Sequence, residues 1–243
     1  MTTLTKFIIG IIVSLMLVSC QFNSSFGFAG VRGNGNVEIE DRSLSDNFSE
    51  IKVSRGLDVY ITQSDDVSLA VEADENLHDI IITEVEGDVL KIYADENIKS
   101  SKSRKVMVTI KNIQKISSSS GSDVFSTNVI KANSLELSVS SGSDMRIEVD
   151  TEVVDCKSSS GSDLRISGTT DKLYADASSG SDIKAGNLKA KNSTVKASSG
   201  ADITVNTSEE LYARASSGAD IKYYGNPEKV SKKDGVSGSI RRQ

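Results

Sequence analysis

Tryptophan is absent from this chain of 243 residues, histidine and proline occur once each, and cysteine occurs twice. Each shortage narrows the chemistry. With His78 alone, and one cysteine remaining if Cys20 is modified, the nitrogen and sulfur donors of a structural or catalytic zinc site cannot be assembled. A Ser-His-Asp arrangement stays open by count because serine is abundant, but a lone histidine in the loop-like run 74–79 reads first as a solvated loop residue. Aromatics make up 5% of the chain, little for stacking sugars. The 34 acidic and 28 basic residues are mixed throughout, for a net charge of -6. No basic stripe interleaved with aromatics offers a phosphate-tracking surface, so no nucleic-acid partner is expected. No cofactor is expected either.

The N-terminus carries its own signal. One charge, Lys6, precedes an apolar stretch from Phe7 to Val18 that is too short to span a bilayer comfortably. It ends in Leu17-Val18-Ser19-Cys20, which resembles a lipobox. Residues 1–19 are therefore read as a lipoprotein signal peptide and Cys20 as the acylated end of the mature chain. The membrane becomes a partner through that lipid anchor, and the expected location is the cell envelope at the outer membrane, with periplasmic or surface face open. A secretory signal or membrane anchor that happens to contain a cysteine is the alternative. Residues 20–33, rich in Ser, Gly and Asn, read as a flexible tether. Once Cys20 is acylated, Cys156 has no intramolecular partner, which excludes a disulfide framework.

What the chain has in excess is one phrase. Ser-Ser-Gly-(Ser/Ala)-Asp occurs six times, with glycines at Gly121, Gly142, Gly161, Gly180, Gly200 and Gly218, spaced 21, 19, 19, 20 and 18 apart. A period near twenty signals stacked units, none of which can bury its apolar face alone. Three residues after each glycine stand Val124, Met145, Leu164, Ile183, Ile203 and Ile221. Five before it stand Ile116, Leu137, Cys156, Ala175, Val195 and Ala213. Both flanks alternate with period two, so each unit reads as strand, tight corner, strand. The fold class is all-β, a single-stranded parallel β-helix with coils of roughly 20 residues.

The glycine suits a corner with positive φ, and the aspartate two residues later suits hydrogen bonds from turn amides. The Ser/Ala exchange just after the glycine fits a cramped inward corner. Stacking at the inter-strand spacing predicts serine ladders before the glycine. It also predicts a column made of Asp123, Asp144, Asp163, Asp182, Asp202 and Asp220. Adjacent like charges in that column repel by about 0.9 kcal/mol before screening. Two residues further on, Arg146, Arg165, Lys184 and Lys222 form a candidate basic row that offsets the repulsion. Gly56 and Asp58 repeat the corner phrase upstream, so residues 34–116 read as longer, irregular opening coils. Residues 117–225 read as the regular coils and 226–243 as a cap or fraying tail.

The ordered combination of GNGNVEIEDR, FSEIKVSRGLDVYI, serial SSGSD and YYGNPEKV resembles the auto-transporter adhesin, head GIN domain family from Asn34 to the C-terminus. The resemblance implies a parallel β-helix and adhesion, and brings no catalytic residue with it. The function expected is non-catalytic: an adhesive or scaffolding envelope module presenting a repetitive polar face to a glycan or protein ligand, with homo-oligomerisation open. Two alternatives stand. A polysaccharide-lyase-like enzyme is disfavoured by short uniform coils. Weak surface calcium binding is disfavoured because basic residues occupy the place where the calcium nonapeptide wants an apolar one.

Overall fold

The computed structural model describes residues 30–45 and 47–243, so the expected signal peptide, Cys20 and the tether through residue 29 lie outside the described residues. From Val31 onward the chain is a β-solenoid of about 7 turns with coils of ~19 residues. The N-terminal part contributes β1 (Val31–Arg32), β2 (Val37–Arg42), β3 (Glu50–Ser54), β4 (Asp58–Gln63) and β5 (Ser68–Asp74). A single 3-10 turn at Glu75–Leu77 leads to β6 (Ile81–Glu86), β7 (Val89–Ala94), β8 (Ile98–Ser100) and β9 (Arg104–Ile110). The regular part holds β10 (Lys115–Ser118), β11 (Asp123–Ser126), β12 (Ile130–Ser140), β13 (Asp144–Ser159), β14 (Asp163–Ser178), β15 (Asp182–Ala197) and β16 (Asp202–Ala215). The last coil is β17 (Asp220–Tyr224), β18 (Lys229–Asp234) and β19 (Ser239–Arg242).

Two parallel walls face each other. One precedes each SSGSD corner and runs β7–β3–β10–β12–β13–β14–β15–β16–β18; the other follows it and runs β9–β4–β11–β13–β14–β15–β16–β17–β19. The long strands serve both walls by bending between them. In β13 the inward residues are Met145, Ile147 and Val149, then Val154 and Cys156 after the alternation skips at 152–153. Equivalent residues stack into one continuous apolar interior. Thr151, Thr170 and Thr207 line its far bend, joined by Thr151 Oγ1 to Thr170 Oγ1 at 3.2 Å and Ser193 Oγ to Thr207 Oγ1 at 2.7 Å.

The opening differs from a simple run of longer coils. β3 and β4 sit between β10–β11 on one side and β7–β9 on the other, so the outermost coil is built from residues later in sequence than its neighbour. β5 and β2 then add antiparallel to β9, and β6 adds antiparallel to β7. Hairpin returns close this end without exposing a bare coil edge of regular geometry, which would template further pairing. At the other end β19 continues the corner column, and the inward places opposite Ala213 and Ala215 are taken by Lys232 and Asp234. Lys232 lies over the Tyr223 ring at 4.9 Å, closing the core with a charged stem.

Candidate binding faces

The corner is a type I′ turn. Ser140, Ser198 and Ser216 accept at 3.3, 3.2 and 3.2 Å from the amides three residues on, and the two residues between have positive φ. The second of these is the repeat glycine at all six sites and Gly56 upstream. The first is a serine with φ of 53–57° at the six sites, and Arg55 upstream. Serine in the left-handed region is a non-glycine exception that the repeat alone did not announce. The residue after each glycine is inward and buried, as its Ser/Ala exchange implied: Ser122, Ser143, Ser162, Ser181, Ala201 and Ala219.

The serines before the glycine stack in register as a ladder, Ser140 on Ser159 and Ser159 on Ser178. The side-chain hydrogen bonds between coils run from the inward serines after the glycine, not from the pair before it. Ser143 Oγ accepts from Ser122 N at 3.1 Å, Ser122 Oγ accepts from Gly56 N at 2.9 Å, and Ser162 Oγ donates to Val139 O at 3.0 Å. The pair before the glycine splays toward solvent across the turn. The turn amides, in their turn, donate to backbone carbonyls of the adjacent coil: Gly161 N to Ser179 O and Asp163 N to Ser143 O, at 3.2 and 3.1 Å. Parallel stacking supplies those carbonyls at the right height, leaving the aspartate side chains to face outward.

Outward, Asp58, Asp123, Asp144, Asp163, Asp182, Asp202 and Asp220 stack in register, one per coil. The next outward row reads Tyr60, Phe125, Arg146, Arg165, Lys184, Thr204, Lys222 and Arg241. The two rows interact unevenly. Asp163 meets Arg165 at 3.3 Å and also pairs with Lys184, which reaches Asp182 at 3.1 Å. Burial would raise the Asp163 pKa, but Lys184 and Arg165 outweigh it and hold the carboxyl below its ordinary value. Where the basic row is replaced by Tyr60 stacked on Phe125, with centroids 5.2 Å apart, Asp123 forms no ion pair among the described residues and feels only the more distant positive charge of Arg104. There burial, followed by the charges of Asp58 and Asp144, pushes Asp123 above its ordinary value.

The opposite wall carries a second polar surface. Glu136 is flanked by Lys115 at 3.4 Å and Lys157 at 3.2 Å, and the lysines overcome burial to lower its pKa. Further along, Tyr174 and Tyr212 occupy the same outward row, and the sequence reading gave them no role. Cys156 is fully buried, and burial pushes its thiol far above the ordinary value, so it serves as a small core residue. His78 is not a solvated loop residue: its side chain is 10% exposed and Nδ1 stands 3.3 Å from Glu40 Oε2. The hairpin returns of the opening fold over it.

These walls define the molecule as a parallel β-solenoid whose outer faces are polar, repeat-ruled rows. The profile of the family described as “Putative auto-transporter adhesin, head GIN domain” matches residues 47–227, and the chain belongs to that family. Its solved relatives in fold include a protein from Bacteroides fragilis NCTC 9343 described as a putative adhesin, 23% identical, with TM-score 0.81 over 88% of this chain and 100% of that one. Two from Parabacteroides distasonis ATCC 8503 also match over 88% of this chain and 99% of theirs. One is described as a putative adhesin, 21% identical with TM-score 0.73, and the other as a putative lipid binding protein, 24% identical with TM-score 0.70. No curated protein matches. Among the described residues no helix is long and apolar enough to cross a membrane.

Proposed function

We propose that the chain is a non-catalytic cell-envelope lipoprotein, anchored through acylated Cys20, whose solenoid walls act in adhesion. The observation that carries this reading is the stacking of one outward Asp per coil from Asp58 to Asp220, beside a row that holds Arg146, Arg165, Lys184, Lys222 and Arg241. A flat repetitive array engages a repetitive ligand through many weak contacts, and avidity then replaces a deep pocket. The adhesin family to which the chain belongs supports the same reading. A polysaccharide-lyase-like activity or weak calcium binding along the column has less support, because Asp163 and Asp182 are already engaged by Arg165 and Lys184.

Cell fractionation with surface protease shaving tests the reading, combined with an attachment assay on a deletion strain. Adhesion predicts a shaved, membrane-bound protein, release from the membrane fraction on Cys20→Ser, and reduced attachment on deletion. Protection from protease together with unchanged attachment would leave a periplasm-facing scaffold in its place.

A further inference from the structure

The wall that precedes the corner bears a shallow, open groove of 760 Å³ running over the coils of β14, β15, β16 and β18. Its floor holds two of the few large apolar side chains left exposed, Tyr174 at 45% and Tyr212 at 39%. Tyr174 pairs with Thr194 and Thr194 with Tyr212, so the tyrosines stand on one row two coils apart, on the order of 9.6 Å at the inter-strand spacing. The small Thr194 leaves a gap between them. Beside this row and parallel to it run Lys172, Asn192, Glu210 and Lys229, also in register. Asn192 Nδ2 donates to Glu209 at 3.4 Å and Lys229 pairs with Glu210, so donors and acceptors alternate along the groove edge.

Three features select the ligand. The charges of Lys172 and Lys229 balance those of Glu209 and Glu210, which suits an uncharged ligand. Phenol rings turned outward offer flat apolar faces, which suit the C–H face of a sugar ring. The coil rise is close to the length of one pyranose unit in an extended chain, so alternate rings of such a chain fall over alternate coils. A larger groove on the same wall, lined by Glu50, Glu136, Asp150, Glu152 and Asp171 against Lys115 and Lys131, has an acidic excess and no aromatic side chain. It shares the coil rise but lacks the charge balance and the aromatic faces.

We propose that the Tyr174–Tyr212 groove binds a neutral linear polysaccharide laid parallel to the solenoid axis, one phenol ring under each of two alternate sugar rings, with Thr194 beneath the sugar between. The inference rests on the adhesive reading and gives it a ligand class. Isothermal titration of the mature chain with cello-, xylo-, laminari-, chito- and maltohexaose tests it. At least one hexasaccharide is expected to bind, and its disaccharide, too short to cover both rings, to bind at least tenfold more weakly. Tyr174→Ala and Tyr212→Ala should each weaken binding about fivefold. The Phe variants keep the ring and should retain binding, and Lys52→Ala on the exposed side of β3, far from the groove, should leave it unchanged. Absence of binding to every hexasaccharide overturns the proposal, as does binding that survives the double Ala variant with its thermal midpoint unaltered. Lost attachment in the deletion strain without glycan binding removes this inference and keeps the adhesive reading. Glycan binding with unaltered attachment does the reverse.

Discussion

A Cβ added at Gly161 meets nothing within 4 Å, whereas at Gly168 it would stand 1.9 Å from the carbonyl oxygen of Val149 in the neighbouring coil. Both glycines have positive φ, 69° and 109°. Gly161→Ala therefore costs only the left-handed backbone, about 1 kcal/mol. Gly168→Ala must push two stacked coils apart, and about 4 kcal/mol is expected. Urea unfolding of the two variants checks the difference; equal losses would show that the coils separate freely. Gly161 was legible because it recurs, while Gly168 stands outside the repeated phrase and its need arises only when Val149 lies against it. The aspartates divide in the same way. Asp123 sits above its ordinary pKa, so stability falls as pH rises from the ordinary aspartate range through its raised value. Asp123→Asn should raise the melting midpoint at neutral pH, a gain in stability of roughly 0.3 kcal/mol after solvent screening, with no gain in acid. Asp163 sits below its ordinary value, so its contribution is present above the ordinary range and is lost as pH falls through the lowered one. Asp163→Asn should cost roughly 0.5 kcal/mol at neutral pH. Melting both variants in low and high salt reads the two signs. The contrast was half legible, since the sequence shows Phe125 interrupting the basic row but not which carboxylates the neighbouring coils would bury.

At the scale of elements, the opening cap depends on one buried carboxylate. Asp74, 1% exposed at the end of β5, accepts from Gly35 N at 2.8 Å through Oδ2, and from Lys102 N and Ser103 N at 2.9 and 3.0 Å through Oδ1. It thereby ties the segment before β2 and the segment before β9 to the 3-10 turn. Burial opposes ionisation, but the amides of Ser103, Gly35 and Lys102 outweigh it and hold the carboxyl below its ordinary value. Its contribution is thus complete above the ordinary aspartate range and disappears as pH falls through the lowered value. In Asp74→Asn one oxygen becomes an NH2 facing amide donors, and a loss of about 2 kcal/mol at neutral pH is expected. Hydrogen exchange should locate the loosening in β2, β5 and β9 before the regular coils; uniform loosening would mean that the cap and coils unfold as one. The Gly-Asn-Gly-Asn phrase was visible, yet its purpose was not. Its partners, including Asn76, which accepts from Asn34 N and donates to Arg32 O, lie some forty residues away. The inverted coil order at β3 and β7 was hidden for the same reason, because alternation reports which strands exist and not which strand each one meets.

For the whole molecule, nearest-neighbour stacking implies that a coil is a removable unit. β13 and β14 pair from Asp144↔Asp163 to Ser159↔Ser178 without a register shift, so deleting residues 144–162 joins Ser143 to Asp163 in phase. Leu137 then stacks on Ala175 and Val139 on Ala177, apolar on apolar. Glu136 loses Lys157 but retains Lys115 at 3.4 Å. The shortened chain is expected to fold with an unchanged β-sheet circular dichroism spectrum. Its urea m-value should fall in proportion to the surface removed. Deleting only residues 154–162 removes an odd number, which turns the following strand over and sends Leu164 and Ile166 toward solvent. That variant should aggregate or remain unfolded at every urea concentration. The period itself was legible from six glycines, because a solenoid repeats the same contact at every step. A molecule held by that contact must tolerate the loss of a whole period and fail on the loss of half of one. If the half-coil deletion folded as well as the full one, registration between coils would not be what specifies the structure.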